Sequence, residues 1–147
     1  MSQQLMDGTA SQFERLPPHS LDGERCLLAS MMLDKEIIGQ VVQILDKDAF
    51  FQADHQIIYD VVIKLYEQNR PIDAVIIREE LSRRQQLDEI GGLPYLVQIL
   101  NSVPSAAHGA QYAEIVRDKH LLRQLISAAN STLRDCYAPT DQPAENV

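Results

Sequence analysis

The chain has 147 residues, 45% of them hydrophobic, which suffices for one domain with a buried core and is too short for two. A formal net charge of −8 and a pI near 4.8 argue against a broad electrostatic grip on phosphate backbones, because such affinity is built from Lys and Arg; any DNA contact is expected to be local or indirect. No run of about eighteen apolar residues occurs, no basic region leads into an apolar one, and the two cysteines, Cys26 and Cys136, lack CxxC spacing, so a reducing, cytoplasmic setting without membrane contact is expected and a bridge between the two stays open.

Residues 1–16 mix Gln, Ser, Gly and Asp with isolated apolar residues and show no sustained period, which reads as a disordered leader. After Pro17-Pro18, Ser20 is a good N-cap, and Asp22 and Glu24 fall in a first turn where carboxylates complement the helix dipole. Leu27, Leu28, Met31 and Met32 then form one stripe, predicting a helix over 21–33. Asp34 caps a second helix to about Leu45, in which Ile37, Ile38, Val41, Val42 and Leu45 keep the helical spacing despite Gly39. Asp46 to Gln52, with Phe50 and Phe51, reads as a tight connection pinned by aromatics.

A third helix starts at Asp54, with Ile57, Ile58, Val61, Val62 and Leu65 on one face, and runs to about Gln68 before Asn69-Arg70-Pro71 stops it. Asp73 caps a fourth, apolar at Val75, Ile76, Ile77 and Leu81, with Arg78, Glu79, Glu80, Arg83 and Arg84 facing water until about Gln85. Gly91-Gly92 is a turn and Pro94 a first helical residue, and a short helix with Leu93, Leu96, Val97 and Leu100 reaches about Asn101.

Beyond Val103-Pro104, Ser105 caps the longest periodic segment, which ends near Cys136. About thirty residues at a rise of ~1.5 Å make a rod of roughly 45 Å, longer than the globule the preceding hundred residues can form. Part of it must protrude. Its stripe of Tyr112, Ile115, Val116, Leu122, Ile126, Ala129 and Leu133, flanked by Leu121 and Leu125, then calls for cover by a partner helix. The proline-bearing, polar tail at 138–147 reads as a linker. The expected organisation is all-α: a leader over 1–16, a compact multi-helix globular subdomain over 17–103, a long protruding helix over 104–137, and the tail.

The residue types that could carry chemistry have plainer readings. His19, His55, His108 and His120 form no HExxH, closely spaced His/Cys set or Ser-His-Asp order, and His55 with Asp54 reads as an N-terminal helix cap. Glu79-Glu80 and Asp88-Glu89 read as solvated surface, since neighbours on a helix point apart. Gly91-Gly92 lacks GxGxxG spacing and a preceding strand. No catalytic, cofactor or metal residue is assigned. The helix at 73–86, with Arg78, Arg83 and Arg84, offers an alternative as the recognition helix of a helix-turn-helix DNA-binding regulator, but three arginines do not offset the acid elsewhere.

Several segments, in order, resemble signatures of the DnaB helicase N-terminal domain: PPHS at 17–20 followed by Glu24, MLD at 32–34, DAFF at 48–51, His55, PID at 71–73, LDEIGGLPYL at 87–96, PSAA at 104–107 and YAEIVRDK at 112–119. The likeness spans about residues 17–137. It implies a helical globular subdomain followed by a helical hairpin whose first helix is the overlong segment, with hairpins pairing between subunits so that six copies form a trimer-of-dimers collar. The resemblance further implies docking of primase and of a helicase loader, and a linker to a RecA-like motor that would hold the ATP and magnesium. This sequence contains no GxxxxGK[ST] loop and stops inside the connection after the first hairpin helix, so it is expected to be a non-catalytic part of an ATP-dependent DNA helicase. Self-association is expected to fall on Tyr112, Ile115, Val116, Leu122, Ile126 and Leu133.

Overall fold

The computed structural model describes residues 16–138; the expected leader and tail lie outside them apart from the bordering residues Leu16 and Ala138. Six α-helices and one 3-10 turn follow in order: α1 (Leu21–Leu33), α2 (Lys35–Val41), the 3-10 turn (Lys47–Ala49), α3 (Ala53–Glu67), α4 (Ala74–Arg83), α5 (Gly92–Leu100) and α6 (Gly109–Tyr137), with no strand among the described residues. Three starts follow the cap chemistry of the sequence. Ser20 Oγ accepts from the Gly23 amide at 3.0 Å, Asp34 from Glu36 at 2.9 Å and Asp73 from Ile76 at 2.8 Å, each such cap worth about 1 kcal/mol.

Helix α1 is the centre of the body. Its Leu27, Leu28 and Met31 are fully buried, and α2, α3, α5 and α6 all pack on it. From α3 come Ile58, Val61, Val62 and Leu65, from α4 Ile77 and Leu81, from α5 Leu96 and Ile99, and from the connection Phe50, which tilts against Tyr59 at 5.0 Å between ring centroids. The Tyr59 hydroxyl donates to the Leu45 carbonyl at 2.6 Å, and burial pushes its pKa up to about 12.

Four expected boundaries need correction. Helix α2 stops at Val41, because the Val41 carbonyl accepts from both Ile44 and Leu45 at 2.9 Å; this tight turn swings Leu45 into the core. Helix α3 begins one residue before Asp54, after Gln52, with no side-chain cap. Pro94 is the third residue of α5, where the amide proline lacks would still have no intrahelical partner; the first is Gly92, and Gly91 at φ 99° supplies the left-handed entry. Ser105 does not start the long helix. Its hydroxyl accepts from the Ala107 amide at 3.3 Å within a turn, and α6 begins at Gly109, where a Cβ would lie 2.9 Å from Ile37 Cγ2 on α2.

Past the body, every residue of α6 from 124 to 137 is exposed, so about 20 Å of helix projects beyond the rest of the described residues at ~1.5 Å per residue. No described helix is long and apolar enough to cross a membrane. Both cysteines are free: Cys26 is half-buried on α1 and Cys136 exposed near the end of α6.

Candidate interaction surface and its buried anchors

The polar residues at the root of the projecting helix form a connected cluster. Glu24, 1% exposed, accepts from the Phe51 amide at 2.8 Å and the Gln52 amide at 3.3 Å, and lies 2.8 Å from Nδ1 of the fully buried His55. A carboxylate only accepts, which fixes a proton on Nδ1. His55 Nε2 is 2.6 Å from the Tyr95 hydroxyl on α5, and the two rings lie nearly parallel. His55 is therefore not a helix cap, and Glu24 is more than a dipole partner: together they tie α1, α3, α5 and the 48–52 connection at one buried point.

Arg123 ties α6 to the same region. It donates from Nη1 to the Pro18 carbonyl at 2.8 Å and from Nη2 to the Ala49 carbonyl at 2.7 Å, and its guanidinium sits 5.6 Å from the centroid of Phe51, which stacks on His19 at 4.4 Å. Burial lowers the Arg123 pKa, and the charge of Glu24 offsets part of that. One guanidinium holding two carbonyls and a ring thus adds to the packing of Ala113 and Val116 where the long helix leaves the body. The sequence does not point to Arg123 or to the contact between Glu24 and His55; those two residues enter it separately, as a dipole partner and a helix cap and as parts of the family resemblance. The available signal was their register: Glu24 precedes Leu27, Leu28 and Met31 on one stripe, and His55 precedes Ile58 and Val62 likewise.

The expected self-association residues divide. Val116 is 2% exposed and belongs to the subunit's own core with Ala113, so it cannot face a second chain; the helix turns that residue onto the body before it projects. Tyr112 is half-buried against the core. Ile115, Leu122, Ile126 and Leu133 retain 41, 45, 45 and 53% of their surface, and Leu121 and Leu125 beside them retain 43 and 66%. That is a continuous half-apolar face of one projecting helix.

The arginine helix has another arrangement. Glu80, 4% exposed, accepts from Arg83 at 2.6 Å and from Arg84 at 3.2 Å, with Arg70 at 3.7 Å; Arg84 also donates to Asp60 at 3.0 Å, and Arg78 pairs with Glu79. The hydrogen bond from Arg83, with that from Arg84, holds the Glu80 carboxyl at about 2 against the opposing effect of burial. Glu80 is therefore not solvated surface and Arg84 does not face water. Each arginine of the would-be recognition helix already has a carboxylate. No group of three or more metal-ligating side chains occurs among the described residues.

Body and rod together define an all-helical domain from which a half-apolar helix projects. The sequence pattern described as the DnaB-like helicase N terminal domain matches residues 16–118, and the chain belongs to this family. It is 40% identical over 129 residues to the replicative DNA helicase DnaB of Mycobacterium leprae (strain TN) and 36% identical over 129 residues to that of Geobacillus stearothermophilus, each match covering 88% of this chain. The matched stretch spans only 21% and 28% of those relatives. Among solved structures, the N-terminal domain of DnaB helicase from Mycobacterium tuberculosis is similar at a TM-score of 0.81 and 40% identity, covering 84% of this chain and 90% of that one. The N-terminal domain of DnaB helicase from Helicobacter pylori, described with its interactions with primase, shares the fold at a TM-score of 0.63 and 21% identity, covering 80% and 91%.

Proposed function

We propose that this chain is the assembly and docking domain of a replicative DNA helicase, which pairs its projecting helix with that of another subunit, takes part in a hexameric collar built as a trimer of dimers, and offers that collar to primase and a helicase loader. ATP hydrolysis, with its magnesium, belongs in this reading to a motor outside the chain. The observation that carries the proposal is the run of half-exposed Ile115, Leu122, Leu125, Ile126 and Leu133 on a helix that leaves its own body.

Full burial of such a side chain contributes about 1.5–3 kcal/mol, so covering the exposed half of five contributes roughly 5 kcal/mol per chain and about 10 for a symmetric pair. Association costs about 4–15 kcal/mol in lost freedom, so the two sides are of similar size and pairing through this face is expected to be weak and concentration-dependent. Sedimentation velocity over a concentration series tests it. The chain should associate as concentration rises, and Leu122→Asp should weaken that by at least tenfold, or about 1.4 kcal/mol, with far-UV circular dichroism unchanged. Association unaffected by Leu122→Asp would move the interface to the globular end.

A further inference from the structure

The buried ring of His55 sits between two unlike partners. On one side Nδ1 lies 2.8 Å from the Glu24 carboxylate of α1, and on the other Nε2 lies 2.6 Å from the hydroxyl of Tyr95 in the first turn of α5. With its proton on Nδ1 alone, the imidazole can only accept at Nε2, so the hydroxyl donates to it. The other neighbours of the Tyr95 oxygen are themselves donors. Gln52 Nε2 points at it from 3.5 Å and the Arg25 guanidinium lies beside it. The Gln52 amide is held that way round, because the same Nε2 donates to Asp54 Oδ2 at 3.2 Å.

We propose that His55 and Tyr95 form a proton-operated clasp, in which proton uptake at His55 Nε2 breaks the hydroxyl-to-imidazole bond and frees the first turn of α5, with the preceding residues 87–91, from α3. The proton comes from solvent, the hydroxyl keeps its own, and the new N–H faces an oxygen already met by two donors. To accept from it, the hydroxyl would have to turn its hydrogen towards Gln52 Nε2 or Arg25. The two sides of the ring therefore respond oppositely: the bond to Glu24 becomes a charge-assisted pair that holds α1 to α3, while the bond to α5 is lost. Charges on every side bear on the proton's entry. Glu24, and Asp54 behind Gln52, favour it, whereas Arg25 beside Tyr95 and Arg123 on α6, near enough to act on Glu24, oppose it. Solvent has a route in, since Tyr95, Gln52 and Asp54 are only half-buried. Release stays local. Leu96 and Ile99 keep the rest of α5 in the core, and Gly91 and Gly92, at φ 99° and 72°, give the freed turn a hinge.

The test is an NMR titration of the full chain from about pH 7.5 to about pH 5, the interval in which imidazoles ordinarily change charge, read at the ring nitrogens and at the backbone amides. As Nε2 of His55 takes up its proton, the amides between residues 88 and 96 should shift with the same midpoint. Their protection from hydrogen exchange should fall about five- to tenfold, the loss of one hydrogen bond, while the amides of residues 24–28 keep theirs. In Tyr95→Phe, which keeps the ring and removes the hydroxyl, the same amides should already be poorly protected at pH 7.5 and should no longer follow His55. Proton uptake at His55 with those amides unmoved overturns the clasp, as does a ring that stays unprotonated down to pH 5. A response that survives unchanged in Tyr95→Phe assigns the movement to another group and overturns it equally. Should Tyr95→Phe unfold, the titration of the unsubstituted chain still decides. None of these readings depends on association through α6.

Discussion

Glu24 meets two backbone amides and a buried imidazole at one point. Replacing it with alanine removes the acceptor of two amides and of a buried imidazole at once, and leaving several such groups unsatisfied costs about 3–5 kcal/mol. Glu24→Gln, which keeps one amide oxygen, should cost distinctly less; urea denaturation followed by circular dichroism orders the three proteins, and an unshifted midpoint for Glu24→Ala would mean the contacts are incidental. Glu80 makes a different prediction because its charge state differs between folded and unfolded chain. Its carboxyl titrates at about 2 in the fold against the ordinary 4.5, so the folded state binds the proton more weakly. The stabilisation is present above about pH 4.5 and is lost as pH falls from there towards 2. Glu80→Gln should flatten the stability profile in that window and leave its shape near neutrality unaltered. Both carboxylates were assigned to solvent or to a helix dipole from sequence, because a charge next to apolar residues reads as the start of the polar face. Each instead continues an apolar register, Glu80 beside Ile77 and Leu81, and a charge in that position is buried with its partners.

At the scale of elements, helix starts with a local side-chain cap are legible in the sequence, while a start or an anchor set by a distant residue is not. The starts of α1, α2 and α4 follow from Ser20, Asp34 and Asp73, whose side chains reach amides two or three residues on. The start of α6 does not follow from Ser105, because Gly109 is placed by its close approach to Ile37, some seventy residues earlier in the chain. Arg123 shows the same limit. Its partners are the carbonyls of Pro18 and Ala49, which no periodicity connects to it. Arg123→Ala should therefore destabilise the domain by about 2 kcal/mol, the scale of hydrogen bonds to a charged group, and speed amide exchange in α6 around residues 119–126. Arg123→Lys should rescue little, since one ammonium cannot hold two carbonyls while lying over the ring of Phe51. Exchange rates matching the unsubstituted chain would show that the helix is held by Ala113 and Val116 alone.

For the molecule as a whole, the legible feature was a length: a periodic segment too long for the body that precedes it. The illegible part was where along that segment burial ends, which is why Val116 reads as interface from the stripe and lies in the core in space. The two functions weighed for the chain respond oppositely to salt. Copies carrying a net charge of −8 repel one another, and salt screens that repulsion as the Debye length shortens to about 8 Å at physiological ionic strength. Contact through Leu122, Leu125 and Ile126 is apolar and is not itself weakened. Raising sodium chloride from ~50 to ~200 mM should hold or tighten self-association, whereas a regulator contacting phosphates through Arg78, Arg83 and Arg84 would lose affinity for duplex DNA over the same interval. The pairing of those arginines with Glu79, Glu80 and Asp60 already opposes the second course. One salt series, read by sedimentation for the chain alone and by fluorescence anisotropy with labelled duplex, decides between them. Tight, salt-sensitive DNA binding would return the recognition-helix reading to the front.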